Sequence, residues 1–176
     1  GAGWAYQILP YVEEIAVWEG AGGATLDDRQ RNAIGAKISG YFCPSRRSPE
    51  AFSAAAWYGP PGTYEHGMID YAACCVNSPA AVERVSDANI DLRRSRTNFA
   101  KITDGTANTL LFGEKRLNFL RLVGFQGDDN EGYTSGWDHD VIRDATRKPL
   151  PDPRTGDGQL RFGASHPGAF NVVLVD

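Results

Sequence analysis

The sequence predicts an α+β domain. Apolar residues recur at helical spacing near the N-terminus, and alternating apolar runs bounded by turn residues fill the second half. Glycine and proline are high together, 20 and 10 in 176 residues, so long loops join the elements. Helices first and strands afterwards is the order of an α+β fold, here an N-terminal helix packed on an antiparallel sheet with long loop insertions. The length suits one domain over residues 1–176.

Residues 4–19 carry Trp4, Ile8, Leu9, Val12, Ile15, Ala16 and Trp18. Their spacing predicts an amphipathic helix with Trp4, Ile8, Val12 and Ile15 against the sheet. Pro10 kinks or restarts it, and Gly20, Gly22 and Gly23 end it. Thr25 is a good N-cap with Asp27 and Asp28 behind it, so a second helix is expected through Leu26, Ala33 and Ile34 to about Ile38. Tyr41-Phe42-Cys43 reads as a short strand. Residues 44–66 read as loop, because Pro44, Pro49, Gly59, Pro60, Pro61 and Gly62 break every period.

Residues 68–73 alternate weakly and read as a strand. Residues 76–98 are polar and irregular, with Arg93, Arg94 and Arg96 as a solvated basic cluster. Residues 99–102 suit a helical turn, Asp104-Gly105 a tight turn, and 109–114 the clearest internal strand. Residues 124–158 form a long polar insertion of the length that usually serves a function. Residues 159–164 and 170–176 are expected to pair as a hairpin across His166-Pro167-Gly168. Trp4, Trp18 and Trp137 are assigned to the core.

Composition narrows the function. The chain is 41% hydrophobic and 23% charged, as ordinary globular domains are. A net charge of -4 and a pI near 5.4 leave no basic footprint for nucleic acid. No run of eighteen apolar residues is present to span a membrane. Three cysteines are too few for a disulfide scaffold and lack paired zinc-finger spacing. Cys43 bridged to Cys74 or Cys75 suits a location outside the cytosol, and three buried thiols are the other reading.

Several strings together resemble a bacterial pseudopilin-like family of prepilin type, a domain of unknown function with a C-terminal H-x9-D-G motif. They are the run Gly3-Trp4-Ala5-Tyr6-Gln7-Ile8-Leu9-Pro10-Tyr11-Val12-Glu13, Cys43-Pro44-Ser45-Arg46-Arg47, and Asp70-Tyr71-Ala72-Ala73. Next come the run from Ile102 through Thr103-Asp104-Gly105-Thr106 to Leu111 with Gly113-Glu114-Lys115, and Asp128-Asp129-Asn130-Glu131-Gly132-Tyr133. Arg161-Phe162-Gly163 leads into His166, which lies nine residues before Asp176. The resemblance implies a pilin-like fold whose apolar spine helix and leader precede residue 1, and a Gly after Asp176. The domain would then be a globular head truncated at both ends. Cys74-Cys75 is unusual beside the Asp-Tyr-Ala string.

The acidic insertion is the first candidate site. Asp128, Asp129, Asn130 and Glu131 stand in a row, with Asp138 and Asp140 in the same loop. Calcium takes about six to eight oxygen ligands and tolerates irregular loops, and the resemblance adds that major pseudopilins of secretion systems carry a calcium loop. The spacing is not that of an EF-hand, and a solvated acidic turn is the plainer reading. His139 between two aspartates would point away from both in an extended segment. Ser165-His166 with Asp176 invites a hydrolase reading, but no G-x-S-x-G is present. His166 is expected to brace its own turn, and no residue is assigned to catalysis. Trp57, Tyr58 and Tyr64 could stack on a sugar or peptide, or pack over a core edge.

The expectation is a non-enzymatic structural subunit of a type IV pilus-like or type II secretion-like filament, extracytoplasmic in the periplasm or on the cell surface. It would meet other filament subunits through the helix before residue 1, and the membrane only through that segment. The alternative is an extracytoplasmic ligand-binding module built on the aromatic loop or the 124–158 insertion, and a metal-dependent enzyme comes third.

Overall fold

The computed structural model describes residues 2–74 and 98–176. Cys75 and the cluster Arg93, Arg94 and Arg96 lie outside the described residues. The elements are helices α1 (Trp4–Gln7), α2 (Ile15–Trp18) and α3 (Leu26–Gly35), and strands β1 (Ala51–Ala55), β2 (Thr63–Gly67), β3 (Tyr71–Cys74), β4 (Leu110–Glu114), β5 (Ile142–Arg143) and β6 (Val172–Leu174). The fold is α+β, as expected.

The single helix expected over residues 4–19 is instead three short pieces: α1, a 3-10 turn at Leu9–Tyr11, and α2. Pro10 offers no amide hydrogen to continue α1, and Glu13 sits at φ 65°, outside the helical region. Ala5 and Leu9 are buried and Trp4 stacks on Phe112 of β4 at 4.2 Å, but Val12 and Ile15 face solvent. Two of the four residues placed against the sheet are therefore on the surface. Trp18 and Trp137, assigned to the core, are 38% and 41% exposed.

Helix α3 begins where the sequence places it. Thr25 Oγ1 accepts from the Asp28 amide, and Asp28 Oδ2 accepts from the Thr25 amide, both at 3.1 Å. This capping box meets two of the amides that a helix start leaves unpaired. The helix ends at Gly35 rather than Ile38, because Ala36 turns extended. It buries only Ala33 and Ile34, and Gly35 lies against Glu65 of β2.

Residues 44–66, read as loop, contain a hairpin: β1 and β2 pair antiparallel from Ala51↔Gly67 to Ala55↔Thr63. The Pro/Gly cluster that hid the strands makes the connection between them. Tyr41-Phe42-Cys43 is not a strand; a 3-10 turn at Ser39–Tyr41 occupies its start.

The main sheet has the order β5-β3-β4-β6. It is mixed rather than purely antiparallel, since β5 runs parallel to β3 through Ala73↔Ile142 and Cys74↔Arg143. The expected C-terminal hairpin does not form. β6 pairs with β4, with a bulge between Leu110 and Phe112, while Phe162 bridges to Lys115. Gly163 makes that second contact sterically allowed: at φ 156° it lies so close to Leu150 that a Cβ would meet the Leu150 carbonyl oxygen at 1.9 Å.

The core joins Ala5, Leu9, Tyr41, Ile69, Tyr133 and Val141 with their neighbours. Trp4 Nε1 donates to the Val141 carbonyl at 2.6 Å, and Tyr41 Oη to the Ala5 carbonyl at 2.5 Å, so its polar atoms are met. No helix among the described residues is long and apolar enough to cross a membrane.

Candidate functional site

Pairing of Tyr71 with Glu114 brings the end of β4 against the start of β3, and the Lys115 amide donates to the Asp70 carbonyl at 2.7 Å. Side chains of successive residues on a strand point to opposite faces. Glu114 and Lys115, both fully buried, accordingly serve two different clusters.

On the Lys115 side is a chain of buried ion pairs. Asp70 Oδ1 accepts from Arg47 Nη2 at 2.7 Å, and Arg47 Nη1 reaches Asp129 Oδ2 at 2.8 Å. Lys115 Nζ meets Asp129 Oδ1 at 2.8 Å and the Asp140 carbonyl at 2.9 Å. Asp140 Oδ2 accepts the amides of Asn130, Glu131 and Gly132 at 2.9, 2.5 and 2.6 Å. Arg143 Nη2 holds Asp128 Oδ2 at 3.2 Å. Charges at this depth persist only when paired and hydrogen-bonded.

The pKa directions follow. Burial disfavours the Asp129 carboxylate, but Arg47 and Lys115 together outweigh it and hold the group down to about 2. Burial pushes Asp140 up despite Lys115. Burial works against the Arg47 cation too, and Asp129 and Asp70 more than restore it.

On the Glu114 side, His166 Nε2 lies 2.9 Å from Glu114 Oε1 and 3.4 Å from Cys43 Sγ. The Asn171 amide donates to Glu114 Oε2 at 2.6 Å, and Ser45 Oγ lies 3.2 Å from Cys43 Sγ. Burial raises the Glu114 carboxyl, but the Asn171 amide, His166, Cys43 and Arg46 outweigh it and leave the group below its usual range. A cleft of about 230 Å³ opens beside this cluster, lined by Ser45, Arg46, Ser165, His166 and Pro167. Arg46 is held at this wall, with Nε 3.2 Å from Asp152 Oδ2, Nη2 donating to the Gly163 carbonyl at 3.2 Å and Nη1 4.0 Å from Asp70 Oδ1.

The residues expected to hold calcium are scattered over separate tasks. Asp128 and Asp129 face Arg143, Arg47 and Lys115, and Asp140 folds its own loop. Asn130 is buried, while Glu131 contributes its carbonyl to the Tyr58 hydroxyl and, at 3.1 Å, to His66 Nδ1. Asp138 Oδ1 braces the turn by accepting from the Asp140 amide at 2.9 Å. The loop is a buried brace, not the solvated turn that was its plainer reading. The aromatic trio is split as well: Tyr64 stacks on His66 at 5.0 Å with Tyr58 edge-on, while Trp57 is 72% exposed.

Ser165 Oγ turns to Asp152 at 2.7 Å, so no Ser165-His166 couple exists. His166 does brace its turn, and a carboxylate is the partner. Cys43 and Cys74 are both free thiols, and a bridge to Cys75 lies outside the described residues. Arg47, Lys115 and Arg143 as counter-ions, and Cys43-Glu114-His166 as a group, are not legible from spacing, although most of these residues sit in the strings that carry the family resemblance.

A family profile for a protein of unknown function (DUF1559) matches residues 1–176, and the chain belongs to that family. No curated protein and no solved structure matches the chain.

Proposed function

We propose that this member of the DUF1559 family is the globular head of a filament subunit of the type IV pilus or type II secretion kind, extracytoplasmic and without enzymatic activity. The observation that carries the reading is how the first turn is fastened. Trp4 stacks on the Phe112 ring of β4, its indole is hydrogen-bonded to Val141, and Ala5 and Leu9 are fully enclosed. A spine arriving at residue 1 would meet a rigid junction rather than a hinge. Beyond that junction Tyr11, Val12 and Ile15 are exposed apolar side chains, suited to packing against a neighbouring subunit. The ionisable residues of the Lys115 side support the same reading, because they are consumed by one another and hold a shape.

Neighbouring subunits and the membrane would be met chiefly through the segment before residue 1. The test is the complete gene product, expressed together with a prepilin peptidase. Cleavage of a leader and recovery of the protein in a sheared filament fraction is the expected result. A complete protein without an apolar segment of about twenty residues ahead of Trp4 would remove the filament reading.

A further inference from the structure

We propose that Cys43, Glu114 and His166 bind a divalent transition-metal ion of zinc's class, with a remaining coordination position facing the cleft at residues 165–167. The site does not depend on the filament reading. The three donors come from the loop after the 3-10 turn at Ser39–Tyr41, the end of β4 and the turn before β6, and Cys43 and His166 are 123 residues apart in sequence. Their ligand atoms all lie within 4.8 Å of one another, and among the described residues this is the one group of three or more His, Cys, Asp or Glu so disposed.

The donor set is the first argument. Thiolate, imidazole and carboxylate are the ligands that zinc and its neighbours take, whereas calcium and magnesium take oxygen alone. Spacing is the second. Zinc bonds of about 2.0–2.3 Å at tetrahedral angles hold neighbouring ligand atoms about 3.3–3.6 Å apart. The sulfur and the imidazole nitrogen are already 3.4 Å apart, and the nitrogen and the carboxylate oxygen, at 2.9 Å, need part by only a few tenths of an ångström.

The third argument separates a metal site from a nucleophilic couple. A thiol activated by imidazole and carboxylate needs both ring nitrogens, one on sulfur and one on the acid. Here Nε2 alone faces both groups, so no relay runs through the ring. Three donor atoms within 4.8 Å of one another are close enough to share one ion.

The surroundings fit as well. Asn171 holds Glu114 by Oε2 and leaves Oε1 for the ion, while Ser45 orients the sulfur. The Asn171 side-chain nitrogen, 3.4 Å from His166 Nε2, turns away when the ion takes that lone pair. Thiolate and carboxylate together carry the charge that a divalent ion balances, and Arg46, which also lines the cleft, is paired at 3.2 Å with Asp152. The way in is from the His166 side, where the side chain is 28% exposed.

The test is titration of the chelator-treated protein with cobalt(II) chloride, followed by displacement with zinc chloride. One cobalt per chain is expected, with thiolate-to-cobalt charge-transfer absorption that zinc abolishes and Cys43→Ser lacks. His166→Gln, part-exposed and checked to fold by its melting curve, is expected to weaken zinc binding by more than about a hundredfold, beyond the loss that outer-shell partners cause. If Cys43→Ser fails to fold, His166→Gln carries the test alone. No stoichiometric cobalt binding, a charge-transfer band that survives Cys43→Ser, or unchanged zinc affinity in His166→Gln overturns the site.

Discussion

Glu114 and Lys115 are adjacent in sequence, equally buried, and opposite in what surrounds them. Lys115 ends in a circuit where each positive group meets its negative one within hydrogen-bond distance. Glu114 ends beside a thiol and an imidazole, and the imidazole lines a cleft. In the first cluster Arg47, Lys115, Asp70 and Asp129 pair with one another and behave as architecture. The second gathers three electron-pair donors within 4.8 Å of one another and opens to the cleft through His166.

Substitutions on the two sides should therefore differ in size and in kind. The largest effect is expected for Asp129→Asn, which leaves Arg47 and Lys115 short of their shared anion: a loss of about 3–5 kcal/mol in denaturant unfolding. Glu114→Gln, which strips the charge from the cleft side, should cost about 1–3 kcal/mol. If the two came out in reverse order, the distinction between brace and site would fail.

Acid unfolding sharpens the comparison. The folded Asp129 carboxyl lies below its unfolded value of about 4, so its contribution is present above that pH and is lost as pH falls toward about 2. The contribution is about 2–3 kcal/mol. Unfolding free energies from pH 6 to pH 2 should show this acid limb in the native protein and a flatter one in Asp129→Asn. Equal limbs would mean that Asp129 is no more ionised when folded than when unfolded.

Without added metal, His166→Gln should lower stability by about 1 kcal/mol, since the lost hydrogen bond to Glu114 is partly open to solvent. Smallest of all is the expected effect of calcium. With Arg47, Lys115 and Arg143 already facing the acidic loop, melting midpoints in calcium, magnesium and chelator should coincide. A calcium-specific rise, about 2.7 kcal/mol at a hundredfold excess over Kd, lost in Glu131→Gln or Asp138→Asn, would instead put an ion on the loop.

What could be read in advance was local. The Thr25 cap with Asp28, the turn at Asp104-Gly105, where Gly105 takes φ 88°, and strand β4 each depend on neighbours in sequence. The hairpin β1–β2 was hidden because Ala51, Ser53, Ala54 and Ala55 carry no β-branched side chain, and because Pro60-Pro61-Gly62 masks as loop what is a strand connection. Helical spacing over residues 4–19 outvoted Pro10, and the backbone at Glu13 decided otherwise. At the site, the acidic loop was visible as an accumulation of charge. Its counter-ions were not, because Arg47 and Lys115 arrive through tertiary pairing that no spacing rule encodes.

A chain emerging from the ribosome meets the strand order β5-β3-β4-β6 as a sequence of events. When β4 has been made, Glu114 has its strand but neither His166 nor the Asn171 amide, and Lys115 has neither Asp129 nor the Asp140 carbonyl. Lys115 waits 14 residues for Asp129 and 25 for the Asp140 carbonyl, whereas Glu114 waits 52 for His166 and 57 for the Asn171 amide, several seconds of synthesis at about 5–20 residues per second. Closure of the sheet is deferred until β6 emerges. Contacts this distant in sequence make folding slow, and a chain released before Asn171 would lack both the amide that holds Glu114 Oε2 and the strand that pairs with β4.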